Sequence, residues 1–204
     1  MAYQSFLERK GSSLSFDKLK ALKIPKGLKN KNFLDIGCNE GFFCIEAYNR
    51  GAKNVYGIDK NAINIQNAKQ WAKKYFNEDS LDRMTFLCER WDNVDEILKD
   101  VKFDVIIYTS CLHYEIKHKG IPTLFFNRVH NILKKNGTFI IECCIIDNDE
   151  AVTTKHMVKD IEFHHPSESM LKEWLDNFEV ECVGDSIKQS GDESIRRVFH
   201  CKKK

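Results

Sequence analysis

FLDIGCNEGFF, residues 33–43, carries the strongest structural signal in this chain. An apolar run of strand length meets Asp35, then passes through a turn in which Gly37, Asn39 and Gly41 alternate with Cys38 and Glu40. Two phenylalanines then begin a stretch of helical character. Glycine allows positive φ and lets a backbone approach a ligand closely. Asn39 stands where such turns carry a middle glycine, and asparagine is the side chain that best tolerates left-handed backbone. A turn of this kind, between a strand and a helix, is where open α/β sheets take up nucleotide ligands.

Strand-length apolar runs recur along the chain, at residues 32–36, 54–58, 84–88, 104–108 and 138–144. Segments of helical periodicity lie between them. The clearest are 62–75 and 122–133, where Phe125, Val129, Ile132 and Leu133 share one face and Asn136 with Gly137 supplies a C-cap. This βαβ rhythm predicts a mainly parallel sheet. Beyond the fifth run come a loop at 146–155, a helix begun by Pro166 and Ser167, and two strand-like runs, 180–184 and 195–201. The expected sheet is therefore parallel with an antiparallel ending.

The chain has 204 residues, of which 42% are hydrophobic, enough for one compact domain spanning 1–204 with a small helical cap formed by residues 1–30. No apolar run is long enough for a bilayer, and the first sixteen residues lack the apolar core of a signal peptide. These features predict a cytoplasmic protein with no membrane partner. The eight cysteines form no CxxC pair and several lie in apolar runs, so they read as reduced core residues, with no metal site. Net charge is +2, which demands no polyanionic partner. The charge is nevertheless uneven. Up to Lys31, eight lysines and arginines face only Glu8 and Asp17, and the chain ends in three lysines, a pattern that fits either a solvated helix or a nucleic-acid footprint.

The residues beyond the turn give it meaning. Asp59 closes the second strand eighteen residues after Gly41, where a carboxylate can accept from both hydroxyls of a ribose, with Lys60 beside it. After the third strand, Trp91 can cover a nucleobase and Asp92 can accept from its exocyclic amine. The fourth strand ends in TSCLHY, so that Ser110, His113 and Tyr114 lie at the edge facing a substrate. Each has a plainer reading: Asp35 capping its turn, Asp59 capping helix 62–75, Trp91 in the core, and His113 as a satisfied structural histidine. Their placement at the ends of successive strands is what argues for a site.

In this order, the motifs resemble the class I S-adenosylmethionine-dependent methyltransferase superfamily from about residue 30 onward. The resemblance implies a Rossmann-like α/β fold with a mainly parallel seven-stranded sheet and an antiparallel C-terminal strand. It implies that Asp35, Gly37 and Gly41 line the amino-acid part of S-adenosylmethionine, Asp59 holds its ribose, Trp91 and Asp92 bracket its adenine, and Cys38, Asn39, Lys60 and Ser110 also bind the cofactor. A narrower resemblance, to the methyltransferase domain of the tRNA wobble-uridine carboxymethyltransferase family, rests on RKGSSLS (9–15), SCLHYE (110–115), GTFIIECCIIDNDE (137–150), FHHPSESMLKEWL (163–175) and DESIRRVF (192–199). It implies that Lys10 and one of Arg196 or Arg197 contact the carboxylate of carboxy-S-adenosylmethionine, two cations on one anion. The family's tyrosine-histidine pair stands here in reverse order, as His113 and Tyr114, and most of the family's N-terminal, RNA-engaging region is not in this sequence.

The expected activity is methyl transfer from S-adenosylmethionine to a small-molecule or RNA acceptor. His113 would act as base or orienting group, with Tyr114 as its substitute. The alternative is carboxymethyl transfer to the tRNA wobble uridine. No Asn-Pro-Pro-Tyr segment follows the fourth strand, which argues against transfer to the amine of adenine. A nicotinamide dehydrogenase would use Asp59 equally well, but Asn39, the Trp91-Asp92 pair and the strand-rich C-terminus argue against it. A non-catalytic nucleoside-binding module would keep the same turn. Acceptor contacts lie on loops that carry no general code, and the sequence holds no signature of oligomeric state.

Overall fold

The computed structural model describes residues 4–113, 116, 122–146, 156–158, 161–163, 165–187 and 195–204, with the backbone alone at 156–158 and 161–163. Seven strands form one sheet: β1 (Asn32–Ile36), β2 (Asn54–Asp59), β3 (Met84–Cys88), β4 (Phe103–Thr109), β5 (Leu133–Ile145), β8 (Phe178–Asp185) and β9 (Ile195–Lys203). Their spatial order is β3-β2-β1-β4-β5-β9-β8. All neighbours are parallel except at β9, which runs antiparallel to both β5 and β8. A separate hairpin pairs β6 (His156–Val158) with β7 (Ile161–Phe163). The sheet reverses direction of winding between β1 and β4, so a ligand is expected outside the C-terminal ends of those strands.

Alternate residues of the central strands feed two cores. Leu34 and Ile36 of β1 join Ile106 and Tyr108 of β4 on one face, while Phe33, Val55, Val105 and Ile107 lie on the other. A sheet buried on both faces reads as continuous apolar runs, as these strands do. Helices α1 (Ser15–Ala21), α2 (Phe42–Asn49) and α3 (Ala62–Tyr75) contribute to the second core. The first core takes α6 (Thr123–Ile132), α7 (Glu168–Trp174) and a 3₁₀ turn at Trp91–Asn93. Short helices α4 (Glu78–Leu81) and α5 (Val94–Ile97) complete the connections.

Two expectations are corrected. Helix 122–133 ends at Ile132, and Asn136 and Gly137 do not cap it; they lie in β5. There the register with β4 jumps from Phe103↔Leu133 to Val105↔Thr138, a bulge. A Cβ on Gly137 would stand 2.7 Å from Leu133 Cδ1 and 3.0 Å from the Lys134 carbonyl, so the bulge needs glycine. The N-terminal segment is also less helical than expected. Only Ser15–Ala21 is helix, and Gln4 to Leu14 form a non-helical strap. Ser167 caps α7 as expected, its hydroxyl accepting from Met170 N at 3.3 Å. Most of the loop at 146–155 lies outside the described residues.

Candidate active site

The glycine turn is built on β2. Gly37 N and Cys38 N both donate to the Ile58 carbonyl, at 2.8 and 2.9 Å. Asn39 takes φ of 51°, and its backbone N–H donates to Asp59 Oδ2 at 2.9 Å. The other Asp59 oxygen accepts from Asn61 N at 2.9 Å and Asn64 Nδ2 at 3.3 Å. Asp59 therefore ties the ends of β1 and β2 together. The N-cap of α3 is Asn61, whose side chain accepts from Ile63 N and Asn64 N, which removes the plain capping reading of Asp59. The two glycines have separate tasks. A Cβ on Gly37 would meet Cys111 Sγ at 2.5 Å, so this position admits the chain leaving β4; one on Gly41 would press on Ala68 and Phe86 at 3.0 Å, so this one admits α3.

Asp35 lies under the turn, 1% exposed, and neither carboxyl oxygen has a hydrogen-bond partner among the described residues. Burial raises its pKa well above the ordinary carboxylate value, Asp59 raises it further, and Lys18 only partly offsets this. A buried polar group without a partner is costly. Asp35 does not cap its own turn.

Beside it, at the ends of β4 and β5, is a second buried polar cluster. Ser110, at φ of 56°, accepts from Lys18 Nζ at 2.8 Å and Arg196 Nη1 at 3.1 Å and donates to Glu142 Oε2 at 2.8 Å. Glu142 is fully buried, and both cations stand 3.5 Å from its carboxylate. Burial alone would raise the Glu142 pKa, but Lys18, Arg196 and the Ser110 hydroxyl outweigh it and hold the group ionised. His113 faces this cluster and His165, its ring centroid 6.2 Å from that of His165. Burial, His165 and Arg196 lower the His113 pKa to about 3, so the imidazole is neutral at physiological pH.

The strap closes over the turn. Gln4, 5% exposed, donates to the Cys38 carbonyl at 3.2 Å and accepts from Phe42 N, in the first turn of α2, at 3.1 Å. Phe6 stacks on Trp71 at 4.3 Å, and Arg9 lies over the same indole while pairing with Glu40.

An acid and two positive-φ glycines at the end of β1, joined by a ribose-competent carboxylate at the end of β2, agree with the likeness of this chain to known proteins. Residues 28–197 match a family described as a methyltransferase domain. The chain belongs to this methyltransferase domain family. A tRNA U34 carboxymethyltransferase from Helicobacter pylori is 25% identical over 179 residues, covering 83% of this chain and 64% of that protein. The chain thus spans a little under two thirds of that relative's length. Among solved structures, magnesium protoporphyrin IX methyltransferase from Synechocystis, with bound S-adenosylmethionine, shares the fold at a TM-score of 0.65 and 16% identity, covering 90% of this chain and 74% of that one. A 1,6-didemethyltoxoflavin-N1-methyltransferase from Burkholderia thailandensis does so at 0.66 and 18%, covering 86% and 72%.

Within this methyltransferase domain the expected residues separate into three groups. Asp35, Gly37, Asn39, Gly41, Asp59 and Ser110 gather at the C-terminal ends of β1, β2 and β4 as expected. Cys38 lies in the same turn with its thiol fully buried against Cys44 and Gly57. Trp91 is 6% exposed, part of the core and set edge-on to Tyr108 at 6.1 Å, with its ring 4.0 Å from where a Cβ on Gly37 would stand. Asp92 pairs with Arg90 at 2.8 Å and lines an open cavity of about 430 Å³ with Glu89, Asn93 and Glu96. Lys60 is exposed beside Asp59.

Of the cations expected at a donor carboxylate, Arg196 lies in the Ser110 cluster. Lys10 is exposed on the strap, and Arg197 points to the opposite face of β9 from Arg196, tied to Glu168 at 2.8 Å. Lys18 is the lysine that meets Arg196. A signal for it existed: Ser15, Lys18, Leu19 and Leu22 fall on the buried face of α1, and a lysine in that stripe needs a buried partner. Glu142 was legible in the same way, as an acid inside FIIECCII. Gln4 had no signal. Tyr114 lies outside the described residues.

Proposed function

We propose that this protein transfers a carbon group from an S-adenosylmethionine-type donor held at the ends of β1 and β2 to an acceptor presented at the end of β4. The observation that carries this reading is the partnerless, buried carboxyl of Asp35 beneath the glycine turn and next to Asp59. The donor's ammonium group suits Asp35, because a cation there supplies the missing hydrogen bonds and draws the carboxyl back to its ionised form. Asp59 retains acceptor capacity for a ribose diol, and Asp92 can accept from an adenine amine at the rim of its cavity. When bound, S-adenosylmethionine supplies a methyl carbon activated by its sulfonium. The chain's part is to align the acceptor and exclude water, which the strap and the loop over Gly37 do. His113, neutral and half-buried, orients an acceptor N–H or O–H; with its pKa near 3 it is too weak a base to carry a full proton in the ground state.

A second reading, carboxymethyl transfer from carboxy-S-adenosylmethionine to tRNA, is supported by a specific observation. Lys18 and Arg196 converge on Ser110 at the end of β4, where a carboxylate on the transferred carbon would lie between two cations. The name of the Helicobacter pylori relative agrees with it. A cytoplasmic setting fits the eight free thiols. Calorimetric titration with S-adenosylmethionine and with its carboxylated analogue separates the readings. Tighter binding of the carboxylated donor, reduced by Lys18→Met, supports the second; equal binding, or preference for the ordinary donor, leaves plain methyl transfer. Failure to bind either removes both.

A further inference from the structure

The parallel strands all begin at the edge opposite the candidate site, and the chain reaching that edge is strongly basic. Residues 26–31, 50–53, 76–83, 98–102, 133–137, 175–179 and 202–204 hold thirteen lysines and arginines against six carboxylates, or seven with Asp104. That is a net +6 in a chain whose total is +2, so the remainder carries −4.

Some of these cations have structural work. In an α/β sheet the connecting helices point their C-termini, the negative ends of their dipoles, toward this edge. Lys102 Nζ donates to the Asn131 carbonyl at 2.7 Å and Lys203 Nζ to that of His130 at 2.8 Å, both at the end of α6. Lys31 and Lys134 share Asp104. Five others do none of this. Lys26, Lys29, Lys53, Lys99 and Lys135 are exposed, and their ammonium groups make no hydrogen bond or ion pair with any described residue. They stand just before or at the start of β1, β2, β4 and β5, which are adjacent in the order β2-β1-β4-β5. With neighbouring strands about 4.8 Å apart, this line of charge is roughly 15 Å long.

We propose that this edge is an RNA-binding surface, gripping the phosphate backbone through Lys26, Lys29, Lys53, Lys99 and Lys135. A row of flexible, unpaired ammonium groups fits a polymer bearing one charge per nucleotide. A membrane surface fits less well, because interfacial binding inserts apolar side chains among the cations. Among the described residues, the exposed large hydrophobic side chains, Leu7, Leu14, Ile63 and Leu124, lie on the strap and in the first turns of α3 and α6, toward the opposite edge. The same placement disfavours a protein partner, whose interface needs an apolar centre.

The surface stands apart from the donor site, so its test is independent of the transfer reaction. Binding of unfractionated tRNA is measured by fluorescence anisotropy across a salt series, for the full chain and two double variants. Lys53→Glu with Lys135→Glu reverses two charges on the edge; Lys69→Glu with Lys73→Glu reverses two exposed lysines on α3. The edge variant is expected to lose at least about tenfold in low-salt affinity and to flatten the log-log salt slope by about 1.4 to 1.8, at 0.7 to 0.9 for each of two phosphate contacts. The α3 variant is expected to stay within about twofold, and both to bind S-adenosylhomocysteine like the parent. Equal losses in the two variants, no tRNA binding by the parent, or binding to phosphatidylserine vesicles in place of tRNA would each overturn the proposal.

Discussion

Asp35 is the residue whose cost is most visible. Its burial without a partner raises its folded pKa above the unfolded value, so its contribution to stability is complete below about pH 3.9 and is lost as pH rises through the folded pKa. Asp35→Asn is therefore expected to stabilise the ligand-free protein near neutral pH by about 1–3 kcal/mol and to remove the fall in stability as pH rises above about 3.9, while weakening donor binding. Thermal melts in a pH series check this; a destabilised variant would show that the carboxyl has a partner in solution. His113 has the opposite linkage. Its folded pKa of about 3 lies below the ordinary 6.5, so its contribution is complete above 6.5 and is lost as pH falls toward 3. His113→Phe should remove that acid-side slope in the same melts. Among single residues the sequence was informative where geometry demanded a residue type: Asn39 does take left-handed backbone, and Asp59 does end β2. It left alternatives open where a side chain's neighbours come from far along the chain. Trp91 packs on Tyr108, and its place in the core depends on β4, not on the segment around it.

Two devices built from whole elements shape the site, the strap and the Ser110 cluster. Gln4→Ala leaves the Phe42 N–H buried without its partner and takes one of two donors from the Cys38 carbonyl, which keeps Gly41 N, and this costs about 1–3 kcal/mol. Faster hydrogen exchange at Phe42, with donor affinity reduced, is the expected outcome; unchanged protection would mean that the strap does not close the turn. Glu142→Gln removes the carboxylate that sits between Lys18 and Arg196, and breaking such a buried set costs about 3–5 kcal/mol. Urea denaturation measures it, and a loss below about 1 kcal/mol would show that the cations find other anions. Helix α3 was readable to both its ends, and the strands to within a few residues, because periodicity and apolar runs are local signals. The bulge at the start of β5 was not. Asn-Gly is the same dipeptide whether it ends a helix or kinks a strand, and only pairing with β4 decides between them.

For the whole molecule, a mainly parallel sheet with an antiparallel ending followed from the order of apolar runs, since few topologies satisfy such a rhythm, and the resemblance implied its seven strands. Its polarity did not follow. The sequence showed basic stretches at both ends of the chain without showing that the topology brings many of those lysines to one edge and sets them opposite the site. The proposed donor site occupies the other edge, where β1 and β2 end. The most direct test is calorimetric titration of S-adenosylhomocysteine into the parent protein and into Asp59→Ala, with folding verified by circular dichroism. One ligand per chain for the parent, and affinity at least about tenfold weaker for a folded Asp59→Ala, is the predicted result. No binding by the parent, or equal binding by both, would contradict the placement of the donor.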